Sequence, residues 1–332
     1  MKKIKVICFG VRKVEEPIFH KFNKYNYELE LRSDSLNEQT VDSVKGFDAI
    51  ITRASDKVNA TVVEKIHSFG IKYILARIVG TDHMDLNKMK ELGIKSARVP
   101  SYSPTAIAEL AFSLGVMLNR KSLHFAHKGN NKDFTVDPFG FAKEFKNSTV
   151  GIIGTGKIGY WTAHFFRSIG AKVYGFDPFP NEKAKEVLEY TSLDELLQKS
   201  DLISFHIPYI KGQNDKMINK EFISKMKDNA ILINTARGQI QDEEALLWAL
   251  ESNKLSAIAT DVFNNETEIF FKKHELDLPN NTIQKLMSFY PRFVATPHIG
   301  SYTDEAVANM VEQSFDNLNE FLTSGDCKNK VY

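Results

Sequence analysis

Short apolar runs alternate along the chain with longer segments in which apolar residues recur at helical spacing. Helical spacing covers Thr61–Phe69, for example, and later Thr105–Arg120. In the first hundred residues the apolar runs predict strands at Lys5–Phe9, Glu28–Leu31, Ala49–Ile51, Tyr73–Arg77 and Ser96–Val99. This alternation predicts a parallel sheet that is covered by helices.

A second alternation begins at Thr149 and predicts a second sheet of the same kind. Its strands are predicted at Thr149–Ile153, Lys172–Phe176, Leu202–His206, Ala230–Asn234, Ser256–Thr260 and Val294–Thr296. Residues 264–292 form a less regular segment, of a length that is typical of functional loops. A final helix is predicted over Thr303–Leu322, with Thr303 or Ser301 as its N-cap. The predicted fold class is therefore α/β, with two doubly wound parallel-sheet domains.

Composition narrows the class of protein. The 332 residues are about twice the ~150 residues of a typical domain, which agrees with two domains. The charges nearly balance at +1, so we expect no nucleic-acid or membrane partner. Cys8 and Cys327 are too few for a disulfide framework or a cysteine-rich zinc site. The first apolar run, Val6–Val11, is too short for a signal peptide, so we expect a cytoplasmic protein.

A glycine-rich turn after the strand at Thr149–Ile153 carries the first chemical signal. The turn has the pattern Gly154-x-Gly156-x-x-Gly159, a helix follows it, and Asp177 ends the next strand. The first glycine permits a tight turn, the second permits close approach of the backbone to a pyrophosphate, and the third permits close packing of helix and strand. Because an acid at Asp177 binds ribose hydroxyls and repels a 2′-phosphate, we predict NAD as the cofactor.

Three polar residues follow predicted strands further along the chain: Arg237, Glu266 and His298. Reduction of a 2-oxo acid needs a cation for the carboxylate and carbonyl, and a group that delivers a proton. A carboxylate that is hydrogen-bonded to an imidazole fixes the tautomer of the ring and stabilises its protonated form. Taken singly, the three residues are also compatible with a surface cation, a solvated loop acid and a turn histidine. His124 and His127 have helical spacing but no obvious third ligand, so no metal site is expected.

Several longer motifs resemble the D-isomer-specific 2-hydroxyacid dehydrogenases over essentially the whole chain. They are Ala76–Asp82, Val99–Glu109, Asn234–Gly238 and Thr296–His298. Within that family the chain resembles the D-lactate dehydrogenase branch. Gly10–Arg12, Tyr290–Arg292 and Ser301–Val307 are most similar to the (R)-2-hydroxyglutarate dehydrogenases of that branch.

The resemblance implies a role for each matching residue. His298 would be the general acid/base, Glu266 its partner, and Arg237 the group that binds the substrate carboxylate. Further substrate contacts would come from Val79, Gly80 and Tyr102. The cofactor would be surrounded by Gly154, Gly156, Lys157, Ile158, Gly159, Asp177, Pro208, Asn214, Thr235, Ala236 and Asp261.

The resemblance also implies the domain arrangement. Residues 1–101 and 300–332 would form a discontinuous substrate domain, and residues 102–299 would form an NAD-binding Rossmann domain. The active-site cleft would lie between them, and the chain would form a homodimer.

Two residues bear on the choice of substrate. Arg53 stands where the D-lactate branch generally carries uncharged residues, and Ser301 stands where bulky aromatic residues are common. A cation and a small residue at these positions favour reduction of 2-oxoglutarate to (R)-2-hydroxyglutarate. Pyruvate, or a branched or aromatic 2-oxo acid, is the alternative within the enzyme class. An NAD-sensing corepressor is the alternative outside it, although Arg237, Glu266 and His298 together favour catalysis.

Overall fold

The computed structural model describes residues 3–332, which divide into two compact units. One unit comprises the chain up to Ser103 together with Tyr302–Tyr332, and the other comprises Pro104–Ser301. Both boundaries lie two residues after the predicted ones. Tyr102 belongs to the first unit, where its carbonyl accepts a hydrogen bond from Asn309 Nδ2 at 2.7 Å.

The first unit is built on a parallel sheet with the strand order β2-β1-β3-β4-β5. Its strands are β1 (Lys5–Cys8), β2 (Glu28–Leu31), β3 (Ala49–Thr52), β4 (Tyr73–Ala76) and β5 (Lys95–Arg98). Its first three helices are α1 (Glu16–Phe22), α2 (Ala60–Ser68) and α3 (Leu86–Glu91). All four residues of β3 are buried, as expected of a central strand that is covered on both faces.

The C-terminal helix completes the first unit. It is α11 (Asp304–Ser324), and Phe315 from its apolar face packs edge-to-face against Phe19 of α1. Buried Asn317 donates a hydrogen bond to the Arg98 carbonyl at 2.9 Å, which ties α11 to the end of β5. The last residues of the chain are therefore part of the core of its first hundred.

The second unit is built on a larger parallel sheet with the order β12-β11-β10-β9-β6-β7-β8. Its strands are β6 (Thr149–Ile153), β7 (Lys172–Phe176), β8 (Glu189–Tyr190), β9 (Leu202–Phe205), β10 (Ala230–Asn234), β11 (Leu255–Thr260) and β12 (Phe293–Ala295). Its helices are α4 (Pro104–Asn119), α5 (Ser122–Asn130), α6 (Lys157–Ser168), α7 (Leu193–Lys199), α8 (Lys220–Lys225), α9 (Glu243–Glu251) and α10 (Asn281–Met287).

The strand order of this sheet reverses at β6, which lies between β7 and β9. Parallel open sheets bind ligands outside the carboxyl ends of their strands, at such a reversal. The predicted α/β class with two parallel-sheet domains is confirmed. Within residues 3–332, no helix combines the length and the apolar character that are needed to cross a bilayer.

Candidate active site

The glycine turn after β6 has a geometry that other residues would not adopt easily. Gly154 has φ of +91°, and a Cβ there would lie 2.6 Å from the His206 carbonyl oxygen. A Cβ on Gly159 would lie 1.9 Å from the Gly154 carbonyl oxygen. Both positions therefore need glycine, since the turn and the first turn of α6 touch through the backbone.

Gly156, at the N-cap of α6, fits a different requirement. An added Cβ would meet no described atom within 4 Å, and no side chain in the described chain caps this helix end. Lys157 and Ile158 are the first residues of α6, and the Lys157 side chain is exposed. The positive end of the helix and its unpaired N–H groups are thus accessible, as binding of a pyrophosphate requires.

Asp177 directly follows β7 and faces the glycine turn. Its Oδ2 accepts a hydrogen bond from Thr155 N at 2.8 Å, and its Oδ1 accepts one from Phe179 N at 2.9 Å. Each carboxylate oxygen accepts more than one hydrogen bond, so capacity remains for the hydroxyls of a ribose.

The other predicted cofactor residues follow β9 and β10. The Asn214 side chain donates to the Pro208 carbonyl at 2.8 Å and accepts from Ile210 N at 2.7 Å, so it closes the loop after β9. Ala236 and Thr235 are buried directly after β10. The Thr235 hydroxyl is buried without a partner among the described residues, as expected for a polar atom that a bound cofactor would satisfy. The residues present therefore fit a dinucleotide.

The predicted catalytic pair is in direct contact. His298 Nδ1 lies 2.7 Å from Glu266 Oε1, and both side chains are partly exposed. Because a carboxylate accepts hydrogen bonds, Nδ1 is the donor and Nε2 remains directed elsewhere. Glu266 begins a short 3₁₀ helix, which places this acid from the irregular 264–292 segment beside the imidazole.

Asp261 holds the loop that carries His298. Its buried carboxylate accepts hydrogen bonds from Thr296 Oγ1 at 2.5 Å, Ile299 N at 2.9 Å and Gly300 N at 2.9 Å. Burial raises the pKa of Asp261, and these hydrogen bonds oppose that shift. His298 itself has φ of +52°, and its N–H donates to the Asp261 carbonyl at 3.0 Å. A strained backbone at the predicted acid/base is thus fixed by the end of β11.

Arg237 follows β10, the neighbour of β11, and lies at the same edge of the sheet as Asp261. Its Nη1 donates to the Ala236 carbonyl at 2.8 Å, and its own carbonyl accepts from buried Asn234 at 3.0 Å. The amide of Asn234 also bonds buried Gln241 at 2.8 Å. Directly after Arg237, the backbone at Gly238 packs against the backbone of Phe263. A Cβ at Gly238 would lie 2.0 Å from the Phe263 carbonyl carbon, so this contact needs glycine.

In the first unit, the predicted substrate residues follow adjacent strands. Arg53 follows β3, and Val79 and Gly80 lie beyond β4. The Val79 carbonyl accepts a hydrogen bond from Arg98 Nη1 at 3.0 Å. Ser301, by contrast, is half-buried and ends the second unit, because the preceding Gly300 is bound to Asp261.

Arg53 belongs to a cluster of three guanidinium groups. Its Nη1 donates to the Gly10 carbonyl at 3.3 Å, and buried Arg77 reaches the same carbonyl at 3.4 Å. Arg12 pairs with buried Glu15 at 2.9 Å and stacks 4.0 Å from the centre of the Tyr302 ring. Glu15 also forms an ion pair with Arg77, with 3.5 Å between Oε2 and Nη1.

Two further guanidinium groups and two acids act on Arg53. Burial, followed by the charges of Arg12 and Arg77, lowers the pKa of Arg53 to about 10, and Glu15 and Asp56 oppose this shift. Burial also raises the pKa of Asp56 to about 7.

Sequence reasoning missed the residues that hold this site in place. Asp261 was predicted as a cofactor contact and not as the anchor of the His298 loop. Asn234, Gln241 and Glu15 carried no prediction, because their partners lie on other elements. The one available signal was a polar residue at or just after the end of a buried strand, as at Asn234 and Asp261.

Similarities to known proteins extend over the whole chain. Residues 112–300 match the family model described as D-isomer specific 2-hydroxyacid dehydrogenase, NAD binding domain. The chain is 40% identical to an aromatic 2-oxoacid reductase of Clostridium sporogenes, over 98% of this chain and 99% of that one. Among solved structures, a D-lactate dehydrogenase of Treponema pallidum is 32% identical with a TM-score of 0.88, and covers 99% and 100% of the two chains. A D-lactate dehydrogenase of Lactobacillus jensenii, solved with NAD⁺, is 34% identical with a TM-score of 0.85. The match covers 99% of this chain and 100% of that one.

Proposed function

The chain belongs to the family of D-isomer-specific 2-hydroxyacid dehydrogenases. Within that family, we propose that it reduces 2-oxoglutarate to (R)-2-hydroxyglutarate, reversibly and with NADH. That it is an NAD-dependent oxidoreductase acting on the CH–OH group is established by its family, and this confirms the predicted cofactor and enzyme class. The identity of the 2-oxo acid and the roles of single residues are the proposal.

His298 is the proton donor in this proposal. When bound, NADH would supply a hydride to the 2-oxo carbon, and the carbonyl oxygen would then need a proton. Since Nδ1 of His298 is bonded to Glu266, the proton on Nε2 is the one to be delivered. The Glu266 carboxylate stabilises the imidazolium before transfer and keeps the ring oriented. In the oxidative direction the neutral ring takes the hydroxyl proton back.

Arg237 is the carboxylate anchor in this proposal. Its backbone is fixed by Asn234 and by the approach of Gly238 to Phe263, so the guanidinium starts from a rigid base. A guanidinium binds a planar carboxylate through two parallel hydrogen bonds and also polarises the adjacent carbonyl. The same cation therefore orients the substrate and stabilises the negative charge that develops on the keto oxygen.

The proposal for the substrate rests on Arg53. This arginine lies close to two further guanidinium groups, those of Arg12 and Arg77, and such surroundings suit a second carboxylate better than the uncharged methyl group of pyruvate. Ser301, a small residue, supports a substrate with a longer side chain. The similarity to an aromatic 2-oxoacid reductase favours an aromatic 2-oxo acid as the second candidate.

The test compares 2-oxoglutarate, pyruvate, 2-oxoisocaproate and phenylpyruvate, using NADH oxidation by the wild type and by Arg53→Gln. A charge-assisted pair contributes roughly 1.5–3 kcal/mol, so kcat/KM for 2-oxoglutarate should fall about 10- to 150-fold while that for pyruvate changes little. Arg32→Gln is the matched control, since it removes a guanidinium group of the same unit, one that is paired with Asp34 at 2.8 Å. An equal loss on both acids would refute the assignment of Arg53.

A second variant separates catalysis from cofactor binding alone. His298→Gln should lose roughly 10²- to 10⁴-fold in turnover on every 2-oxo acid and still bind NADH. Full turnover in this variant would contradict the proposed role of His298. Absence of activity in the wild type on all four acids would refute 2-oxoglutarate as the substrate.

A homodimer is part of the proposal. The segment after α5 exposes Phe134, Val136 and Phe141, whose exposed fractions are 83%, 85% and 94%. A second copy of the chain, which would cover these side chains, is the expected partner. Sedimentation equilibrium should therefore give about twice the 37.7 kDa chain mass, and a monomer at all concentrations would contradict this.

A further inference from the structure

Tyr190, the last residue of the two-residue strand β8, joins three segments around Asp177. Its hydroxyl accepts a hydrogen bond from Asn181 N at 2.8 Å, which secures the loop after β7. The same hydroxyl lies 2.6 Å from Oγ1 of buried Thr155, in the middle of the glycine turn. Asn181 Nδ2 also donates to the Thr155 carbonyl at 3.3 Å. The glycine turn, the loop after β7 and β8 are thus tied together beside the carboxylate.

The hydrogen bonds have a preferred direction. The Tyr190 proton has two acceptors within reach, Thr155 Oγ1 at 2.6 Å and the Asn181 carbonyl at 3.1 Å, and the former is closer. When Thr155 Oγ1 accepts the hydrogen bond from Tyr190, the Thr155 hydroxyl can donate its own hydrogen bond to Asp177 Oδ2 at 3.3 Å. Since hydrogen bonds to an ionised acceptor are the stronger ones, the carboxylate favours this order: Asn181 N–H, Tyr190 O–H, Thr155 O–H, Asp177.

The packing leaves Thr155 little freedom to leave this position. A Cβ at Gly175 of β7 would lie 3.1 Å from Thr155 Cγ2, so the methyl group already rests against the strand. Thr155 N donates to the same Asp177 oxygen at 2.8 Å. Oδ2 therefore has a fixed position and a fixed set of donors on its protein side.

We propose that Tyr190 is a positioning residue for cofactor selectivity, acting through Thr155 on Asp177. It keeps the carboxylate aligned for the two hydroxyls of the adenosine ribose, and so raises the preference for NADH over NADPH. The proposal rests on the NAD dependence of the family and not on the identity of the 2-oxo acid. Discrimination depends on this alignment because a carboxylate that rotates loses ribose hydrogen bonds and moves its charge away from a 2′-phosphate.

The test measures the binding of NADH and of NADPH to the full chain. Nicotinamide fluorescence reports the binding, and no 2-oxo acid is present. Tyr190→Phe removes one hydroxyl and should weaken NADH binding about three- to tenfold, with NADPH binding unchanged or tighter. Thr155→Val should give a larger loss, because both hydroxyl hydrogen bonds disappear, and Thr155→Ser should restore most of it. The control is Tyr25→Phe, which removes a 2.7 Å hydroxyl–carboxylate bond to Asp316 in the first unit.

Three results would overturn the proposal. The first is an unchanged affinity for NADH in Tyr190→Phe. The second is an equal loss for both cofactors, which would indicate a structural role alone. The third is a Thr155→Ser variant as weak as Thr155→Val. Because no substrate is added, none of these results depends on whether 2-oxoglutarate is the correct acid.

Discussion

At the scale of single residues, the site depends on the groups behind those that would touch a ligand. His298 has a left-handed backbone conformation. Such a conformation costs roughly 1–3 kcal/mol of free energy and persists only where surrounding contacts hold it. The Asp261 carboxylate and carbonyl together bind the loop on both sides of that residue. Strain at the proposed proton donor is therefore offset by hydrogen bonds at the end of β11.

Replacement of Asp261 by asparagine should show what this anchor does. An amide accepts through one oxygen, so it cannot satisfy both Thr296 Oγ1 and the N–H groups of Ile299 and Gly300. We expect kcat for the 2-oxo acid to fall about tenfold or more, with little change in the KM for NADH. Steady-state kinetics checks this, and a higher KM for NADH with unchanged kcat would instead identify Asp261 as a cofactor contact.

The residues predicted from sequence were those whose chemistry is visible in a local motif. The glycine turn, Asp177 and the triple Arg237, Glu266 and His298 were all predicted in this way. The contact between Glu266 and His298 is present, and the roles of these residues stay predictions. The supporting residues were not found, because a hydrogen bond between Tyr190 and Thr155 spans 35 positions. No period or motif encodes such a distance.

At the scale of elements, long periodic segments were predicted well and short ones were missed. The bounds of β2, β6, β7 and β10 agree with prediction, and those of the other predicted elements differ by one or two residues. Strand β8 has two residues, too few for an alternating pattern. Helix α5 buries none of its residues, so no apolar face marks it. Helix α10 was hidden in the irregular 264–292 segment, although Asn280 caps it.

The N-cap of α11 offers a prediction at this scale. The choice between Thr303 and Ser301 is resolved, since the Thr303 side chain accepts a hydrogen bond from Ala306 N at 3.3 Å. Thr303→Ala should destabilise the first turn of this helix by about 1 kcal/mol. This destabilisation should appear as faster hydrogen exchange of the amides near residues 304–308. Thr323→Ala, near the other end of α11, is the control and should leave those amides unchanged.

At the scale of the whole molecule, buried histidines determine the response to acid. Burial lowers the pKa of His206 to about 3 and that of His83 to about 4. Both rings are therefore neutral in the folded chain, while the unfolded chain takes up protons below pH about 6.5. Their contribution to stability is present above that pH and is lost as the pH falls towards 4 and then 3.

The stability of the protein should accordingly drop between pH 6.5 and 4. Urea unfolding at several pH values should show a smaller drop for His206→Asn, by on the order of a few kcal/mol between pH 7 and 4. His67→Asn, at an exposed position of α2, should follow the wild type. A His206→Asn variant as sensitive to acid as the wild type would show that this ring takes up its proton in the folded state.

The return of the chain to its first unit at Tyr302 has a consequence for biosynthesis. When the ribosome has made residues 104–301, every strand of the larger sheet has been translated, but α11 has not. The first sheet then lacks the helix that packs on β4 and β5, and the hydrogen bond from Val331 N to the Ser96 carbonyl. The segment translated second can therefore reach its native state before the segment translated first, which stays incomplete until α11 has been made.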